Sequence, residues 1–238
     1  MTRLSFVVAA VAFCGWTGCG LVDPDITNFR FVTDDKEFTI DTADWGLVGS
    51  GTVPSVPCQQ SNDLCMAASD QFCMPGQTAK CTAMCSAQST CALNLAVSLS
   101  TEIKLADDKE FQAVDNQPLA AVTIETVEYR VIENTLDVDS PVLDLYIGPL
   151  GTMTPDGAGA EAIGQVESVP AGVKLDFTPV TLNEQGNTRL STFIEGDGYK
   201  SPFNIIMATT MGFAAGDRVP SGRARIAVHI KASARPSL

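Results

Sequence analysis

Leu93-Asn94-Leu95-Ala96-Val97-Ser98-Leu99-Ser100-Thr101-Glu102-Ile103-Lys104-Leu105 alternates from end to end. Its odd positions carry Leu, Val, Thr or Ile; its even positions carry Asn, Ala, Ser, Glu or Lys. A period of two sustained this long predicts a strand with one face on a core and the other towards solvent. Shorter runs of the same kind lie at 26–32, 37–41, 122–132, 142–148, 173–177, 189–195, 203–211 and 223–231. Between them stand turn signals: Asp107-Asp108, Asn116-Gln117-Pro118, Gly148-Pro149, Pro170-Ala171-Gly172, Glu184-Gln185-Gly186-Asn187, Gly196-Asp197-Gly198 and Pro220-Ser221-Gly222. Many short strands between such turns predict a mainly β chain, an antiparallel β-sandwich of Ig-like or jelly-roll-like type. No run with a 3.6-residue period falls between the strands, which disfavours an α/β architecture.

The last run shows the expected facing. Ile226, Val228 and Ile230 point inward, while Arg223, Arg225, Ala227, His229 and Lys231 point out. Two short sequences occur twice. Val-Pro-x-Gly at 169–172 and again at 219–222 reads as a turn leading into a strand. Asp34-Asp35-Lys36-Glu37-Phe38 returns as Asp107-Asp108-Lys109-Glu110-Phe111. The flanks of the pentapeptide do not match, so no duplicated domain is inferred.

The amino-terminal residues are of a different kind. Met-Thr-Arg is followed by an apolar run from Leu4 to Phe13 and then by Trp16-Thr17-Gly18-Cys19. One positive charge, a short apolar stretch and small residues before a cysteine describe a secretory signal. The run is shorter than the roughly 18 residues that span a bilayer. Trp16-Thr17-Gly18-Cys19 resembles the lipobox of bacterial lipoproteins. That resemblance implies cleavage before Cys19, a diacylglycerol thioether on its sulfur and acylation of the new amino terminus. With Gly20 rather than Asp after the cysteine, it implies delivery to the outer membrane where the cell has one. The expected organisation is a signal peptide over 1–18, a lipid-anchored tether over 19–25 and one sandwich domain over 26–238. The mature domain resembles no named family.

Cleavage would leave about 220 residues, ample for a single core. It would also remove Arg3 and no acid, making the mature chain one unit more negative than the −13 of the whole. Such a chain lacks the basic footprint of nucleic-acid binding. It also lacks the charge to dock on anionic lipid, so the acyl chains are the expected contact with the membrane. The acidity keeps an exposed protein soluble. An envelope protein is the remaining kind of partner.

Cys14 falls in the signal. Cys58, Cys65, Cys73, Cys81, Cys85 and Cys91 remain, all within the segment 58–91. An even number of clustered cysteines in an exported chain predicts three disulfides. Asn62-Asp63 can cap one short helix, Pro75-Gly76 breaks it, and Thr78 can cap a second helix over 79–85. Cysteines equidistant from the turn of such a helical hairpin face each other, which predicts nested bridges Cys58–Cys91, Cys65–Cys85 and Cys73–Cys81. The segment has few bulky apolar residues, so bridges are expected to stand in for a core.

Residues suited to chemistry are sparse. The single histidine, His229, sits on a face predicted to be solvated. There is no Gly-x-Ser-x-Gly elbow, phosphate loop or dinucleotide fingerprint. Oxidised cysteines offer no thiolate nucleophile. Glycosidase chemistry needs two carboxylates in a cleft, and Trp45 is the one tryptophan outside the signal. Two ion sites remain as alternatives. Asp137, Asp139 and Asp144 supply hard oxygen for Ca²⁺ without the order of an EF-hand loop. Met66, Met74 and Met84, each beside a cysteine, supply soft sulfur for Cu(I). The expected function is therefore a non-catalytic surface lipoprotein that binds or scaffolds and needs no cofactor.

Overall fold

The computed structural model describes residues 29–47, 51–69, 72–74, 78–115, 119–195 and 201–236. The signal 1–18, Cys19 and the tether 19–25 lie outside the described residues. The chain folds mainly into strands, arranged as two antiparallel sheets. The first contains β1 (Phe29–Val32), β2 (Lys36–Asp41), β5 (Leu119–Asn134), β8 (Leu175–Pro179) and β11 (Arg223–Pro236). It runs β1-β11-β5-β8, with β2 pairing β11 beside β1. The second runs β3-β4-β10-β6-β7-β9, built from β3 (Ala79–Cys85), β4 (Cys91–Ile103), β6 (Leu143–Pro149), β7 (Glu161–Val166), β9 (Thr181–Leu182) and β10 (Phe203–Phe213).

The core lies between the two sheets. Leu95, Val97 and Leu99 of β4 join Leu145 and Ile147 of β6 and Ile205 and Met207 of β10 from one side. Val127, Tyr129 and Val131 of β5 and Ile226, Val228 and Ile230 of β11 come from the other. The inward residues of β5 switch from even to odd numbers, because Lys231 pairs with Thr126 while Ala232 pairs with Ile124. Glu125 is the extra residue of a β-bulge, which restores the inward facing beyond it.

Besides β7 and β9, strands that no expected run covered, three elements depart from the expected strands and arms. Residues 189–195 belong to a helix, α3 (Gly186–Glu195), not a strand. Leu190 and Ile194, four apart, form its buried stripe. Its start lies against β7, because Gly186 leaves no room for a Cβ beside the carbonyl of Ile163. A second unexpected helix, α2 (Lys109–Asp115), is capped by Asp108, whose Oδ1 accepts from the amides of Glu110 and Phe111 at 3.0 Å each.

The third departure is in the cysteine segment. Its first arm is a helix, α1 (Asn62–Ser69). Its second arm is β3, paired along its length with β4 from Ala79↔Val97 to Cys85↔Cys91. Lys80, Thr82 and Met84 are exposed, while Ala83 is buried. The bridges are Cys58–Cys85, Cys65–Cys91 and Cys73–Cys81. The nested pairing expected for two helices is thus replaced at two bridges. Pairing to β4 sets Cys85 opposite Cys91 on one sheet face, and the two reach different cysteines of the overlying layer. Val53, Phe72, Ala83 and Leu93 pack with Cys58, Cys65 and Cys91 into a small core of their own, so the bridges supplement burial and do not replace it.

Candidate functional site

The aspartates considered for Ca²⁺ do not converge. Asp137 Oδ1 accepts from the Ser221 amide at 2.7 Å and its Oδ2 from the Ser221 hydroxyl at 2.9 Å. Arg218 approaches it at 3.4 Å. These donors, the Ser221 amide foremost, hold its carboxyl below the ordinary aspartate range. Asp139 accepts from the Ala171 amide at 2.9 Å. Asp144, on β6, accepts from Gln165 at 2.7 Å. Asp137 and Asp139 therefore clamp one Val-Pro-x-Gly turn each, through the amide of its third residue. Gly172 and Gly222 end those turns with φ of 70° and 110°, backbone that favours glycine.

His229 is not solvated as its facing suggested. It is 6 % exposed and lies against the Phe177 ring, with centroids 4.0 Å apart. Its Nδ1 is 3.2 Å from Asp35 and its Nε2 is 3.1 Å from Glu128. Arg130 binds Asp35 at 2.6 Å and rests 4.8 Å over Phe177, and Lys231 binds Glu128 at 2.8 Å. The Lys231 hydrogen bond, with His229 adding to it, lowers the Glu128 pKa against the opposing effect of burial. Further along the same face, Arg225 lies between Glu37 and Glu133. The outward side of the five-stranded sheet thus carries a run of paired charges, although the buried Nε atoms of Arg130 and Arg225 have no hydrogen-bond partner.

Sγ atoms of Cys58, Cys65 and Cys85 lie within 4.8 Å of one another. They belong to two neighbouring disulfides, so none is the thiolate a soft metal requires. Met66, Met74 and Met84 are exposed, and the Met84 sulfur accepts from Asn94 at 3.2 Å. Trp45 is buried in the main core.

Among the described residues, a groove of about 980 Å³ lies on the outward face of the six-stranded sheet. Its floor follows from the register. Lys80 pairs with Ala96 and Ala96 with Thr210; Ser98 pairs with Ala208 and Ala208 with Asp144; Ser100 and Tyr146 stand on either side of Ile206, which is fully buried and no part of the floor. These are the even positions of β3, β4, β6 and β10, and most are small or carry hydroxyls. One wall is the β6–β7 loop at Met153, Thr154, Pro155 and Asp156, and Glu37 and Thr39 of β2 close one end. Gly148 seats the loop, since a Cβ there would come within 2.9 Å of the buried Thr152 side chain. Thr152 in turn donates to the Ala158 carbonyl at 3.2 Å.

The three carboxylates at the groove are already engaged. The Thr154 hydroxyl, with Lys80 adding attraction, holds the Asp156 carboxyl below its ordinary value. Asp144 is held by Gln165, and Glu37 lies 3.6 Å from Arg225. Burial, then the nearby Asp144 charge, raises the Tyr146 pKa. The groove was not recognised from the sequence; the outward positions at the middle of β4 are the small residues Ala96, Ser98 and Ser100, between Asn94 and Glu102.

No protein-family model matches this chain, and no curated protein does. Among solved structures it is similar to Desmodium yellow mottle tymovirus, at 9 % identity and a TM-score of 0.24, over 100 % of this chain and 98 % of that one. It is also similar to a semi-empty virus-like particle of giant freshwater prawn Macrobrachium rosenbergii nodavirus, at 11 % identity and a TM-score of 0.24, over 100 % and 96 %. At that score the likeness carries no inference about this chain.

Proposed function

We propose that this chain is an exported lipoprotein of the cell envelope, anchored through Cys19, that acts as a non-catalytic binding or scaffolding module. Three disulfides suit an oxidising compartment outside the cytoplasm. The lipobox-like Trp16-Thr17-Gly18-Cys19 supplies the anchor, and acyl chains hold a protein to a membrane with no spanning segment. The observation that carries binding is the groove. It is built on a sheet, and its carboxylates Asp144, Asp156 and Glu37 are already held by Gln165, Thr154 and Arg225. Such a surface recognises a ligand without activating it.

Intact mass of membrane-extracted protein tests the anchor. The expected mass starts at Cys19, includes acyl chains and yields six further thiols only after reduction. Cys19→Ala is expected to release the chain from the membrane fraction. Photo-crosslinking from position 210 on the groove floor, in cells, tests the surface. Crosslinks to an envelope component are expected, and Ala96→Trp, which fills the groove from an exposed position, is expected to remove them. An unlipidated mass in the soluble fraction would remove the envelope reading.

A further inference from the structure

We propose that the groove receives an extended peptide segment of a partner protein, which pairs its main chain with β4 beyond Ser98. This rests on the groove being the binding surface proposed above, and it adds the class of ligand and its mode of attachment.

Unpaired main-chain groups point to that ligand. The Ser98 amide donates to the Thr78 carbonyl at 2.9 Å, and the β3–β4 ladder ends at Ala79↔Val97. β4 continues to Ile103, with β10 along its other side. Main-chain groups alternate in direction along an antiparallel strand, so the N–H and C=O of Ser100 and Glu102 face the side that β3 has left. Among the described residues no strand takes that place. The free side of β2 is similar. Just past it the Thr42 amide donates to the Gly222 carbonyl at 3.2 Å, so even positions face β11 and the main-chain groups of Glu37 and Thr39 face away. Glu37, Thr39, Ser98 and Ser100 all line the groove, so both open edges border one recess.

Other edges of the fold are stopped by side chains. Glu110 Oε2 accepts from the Val32 amide of β1 at 2.7 Å, and Asn62 Oδ1 accepts from the Cys85 amide of β3 at 2.9 Å. An open edge is a template for another chain, and natural folds cover it or break it. From Leu99 to Ile103, β4 has neither a proline nor a bulge. That stretch is about 17 Å long, enough for roughly five residues of a partner strand. The Thr78 hydroxyl, out of contact with solvent and unpartnered, stands where the added strand would begin.

The recess favours a single chain. Residues 153–156 rise beside the floor and Glu37 and Thr39 close one end, which leaves a channel for one strand rather than for the edge of a second folded sheet. Side chains of an added strand alternate in direction. One set turns towards Leu99 and Phe38 at the inner margin of the groove, and the other lies beside Ser100 on its floor. A segment alternating between apolar and polar residues is the expected match, its main chain giving affinity and its alternate side chains specificity.

A random heptapeptide library displayed on phage and panned on the purified, disulfide-intact mature chain supplies the probes, which are remade as free peptides. They are expected to alternate apolar and polar residues and to bind in calorimetric titration. N-methylation of alternate residues of one parity is expected to abolish binding and that of the other parity to leave it, because one edge of the peptide pairs. Ser100→Pro removes an amide on the open side, where proline is tolerated, and is expected to weaken binding by roughly 10-fold or more. Glu102→Pro does the same one step along and serves if Ser100→Pro does not fold. The amides of Ser100 and Glu102 are expected to gain protection from hydrogen exchange when peptide is added. The inference is overturned if no peptide is selected, if binding ignores the parity of methylation, or if the folded proline variants bind as tightly as the unsubstituted chain. Protection of those amides without peptide in a concentration-dependent dimer also overturns it, since a second copy is then the occupant. If no peptide binds while Ala96→Trp still removes the cellular crosslinks, strand addition falls and the groove remains the binding surface.

Discussion

Asp137 shows how little the sequence neighbours of a side chain reveal about its partners. Asp137-Val138-Asp139 looks like a pair of hard-ion ligands. Each carboxylate instead finds an amide far along the chain, 84 residues away for Ser221 and 32 for Ala171. Its pKa is depressed in the folded chain, so its contribution is present above the ordinary aspartate value of 3.8 and is lost as pH falls through the lower folded value. Asp137→Asn is expected to cost about 1 kcal/mol at neutral pH, allowing for partial solvent screening. Its urea midpoint should converge on that of the unsubstituted chain as the pH is taken towards 2. The glycines that end the two clamped turns make a second test. Gly222 has φ of 110°, and an added Cβ would collide with the Thr135 carbonyl. Gly172 has φ of 70° and open space around it. Gly222→Ala should destabilise by roughly 2 kcal/mol or more, and Gly172→Ala by about 1 kcal/mol, the ordinary cost of left-handed backbone. Both turns were legible as turns. Their clamps were not, because a hydrogen bond across 84 residues leaves no local pattern.

Among elements, the repeated pentapeptide is informative because its two copies adopt different structures. Lys36-Glu37-Phe38 opens strand β2, and Lys109-Glu110-Phe111 opens helix α2. The copies also meet, since Asp108 Oδ2 accepts from the Asp34 amide at 2.5 Å. Neighbours, not propensity, decide between the two: Phe38 enters the sheet beside β11, while Phe111 packs edge-on against Phe31 at 5.5 Å. Asp108→Ala removes the cap of α2 and this tie together. It should cost about 1–2 kcal/mol or more, read from the shift in urea midpoint. The arm β3 was ambiguous for a related reason. Cys81 and Cys85 share a face in a helix and in a strand alike, so their spacing could not choose. The exposed set Lys80, Thr82 and Met84 held the better clue, because period two is visible there. Disulfide mapping of non-reduced peptides should return Cys58–Cys85, Cys65–Cys91 and Cys73–Cys81. Replacing both cysteines of Cys58–Cys85, which closes 27 residues, should destabilise by about 1 kcal/mol more than doing so for Cys73–Cys81, which closes 8, if loop entropy dominates.

For the whole molecule, the sequence by itself determined the fold class, the grouping of six cysteines and the unusual amino terminus. These depend on short-range patterns: alternation between i and i+2 sets which face of a strand is buried, and turn residues act where they stand. Tertiary structure alone decided which strands are neighbours, which cysteines bond and where a ligand could sit. The two outward sheet faces show the difference. On the five-stranded sheet, Asp35, Glu128, Arg130 and Lys231 look like scattered surface charges until β2, β5 and β11 are placed side by side around His229. On the six-stranded sheet, Ser98, Ser100 and Thr210 are ordinary polar residues until β4 and β10 align and the loop at residues 153–156 rises beside them. Both surfaces are made by residues that meet only through strand pairing. Pairing is a property of the assembled chain, since its hydrogen bonds join residues far apart in sequence and the backbone atoms that form them are the same at nearly every position.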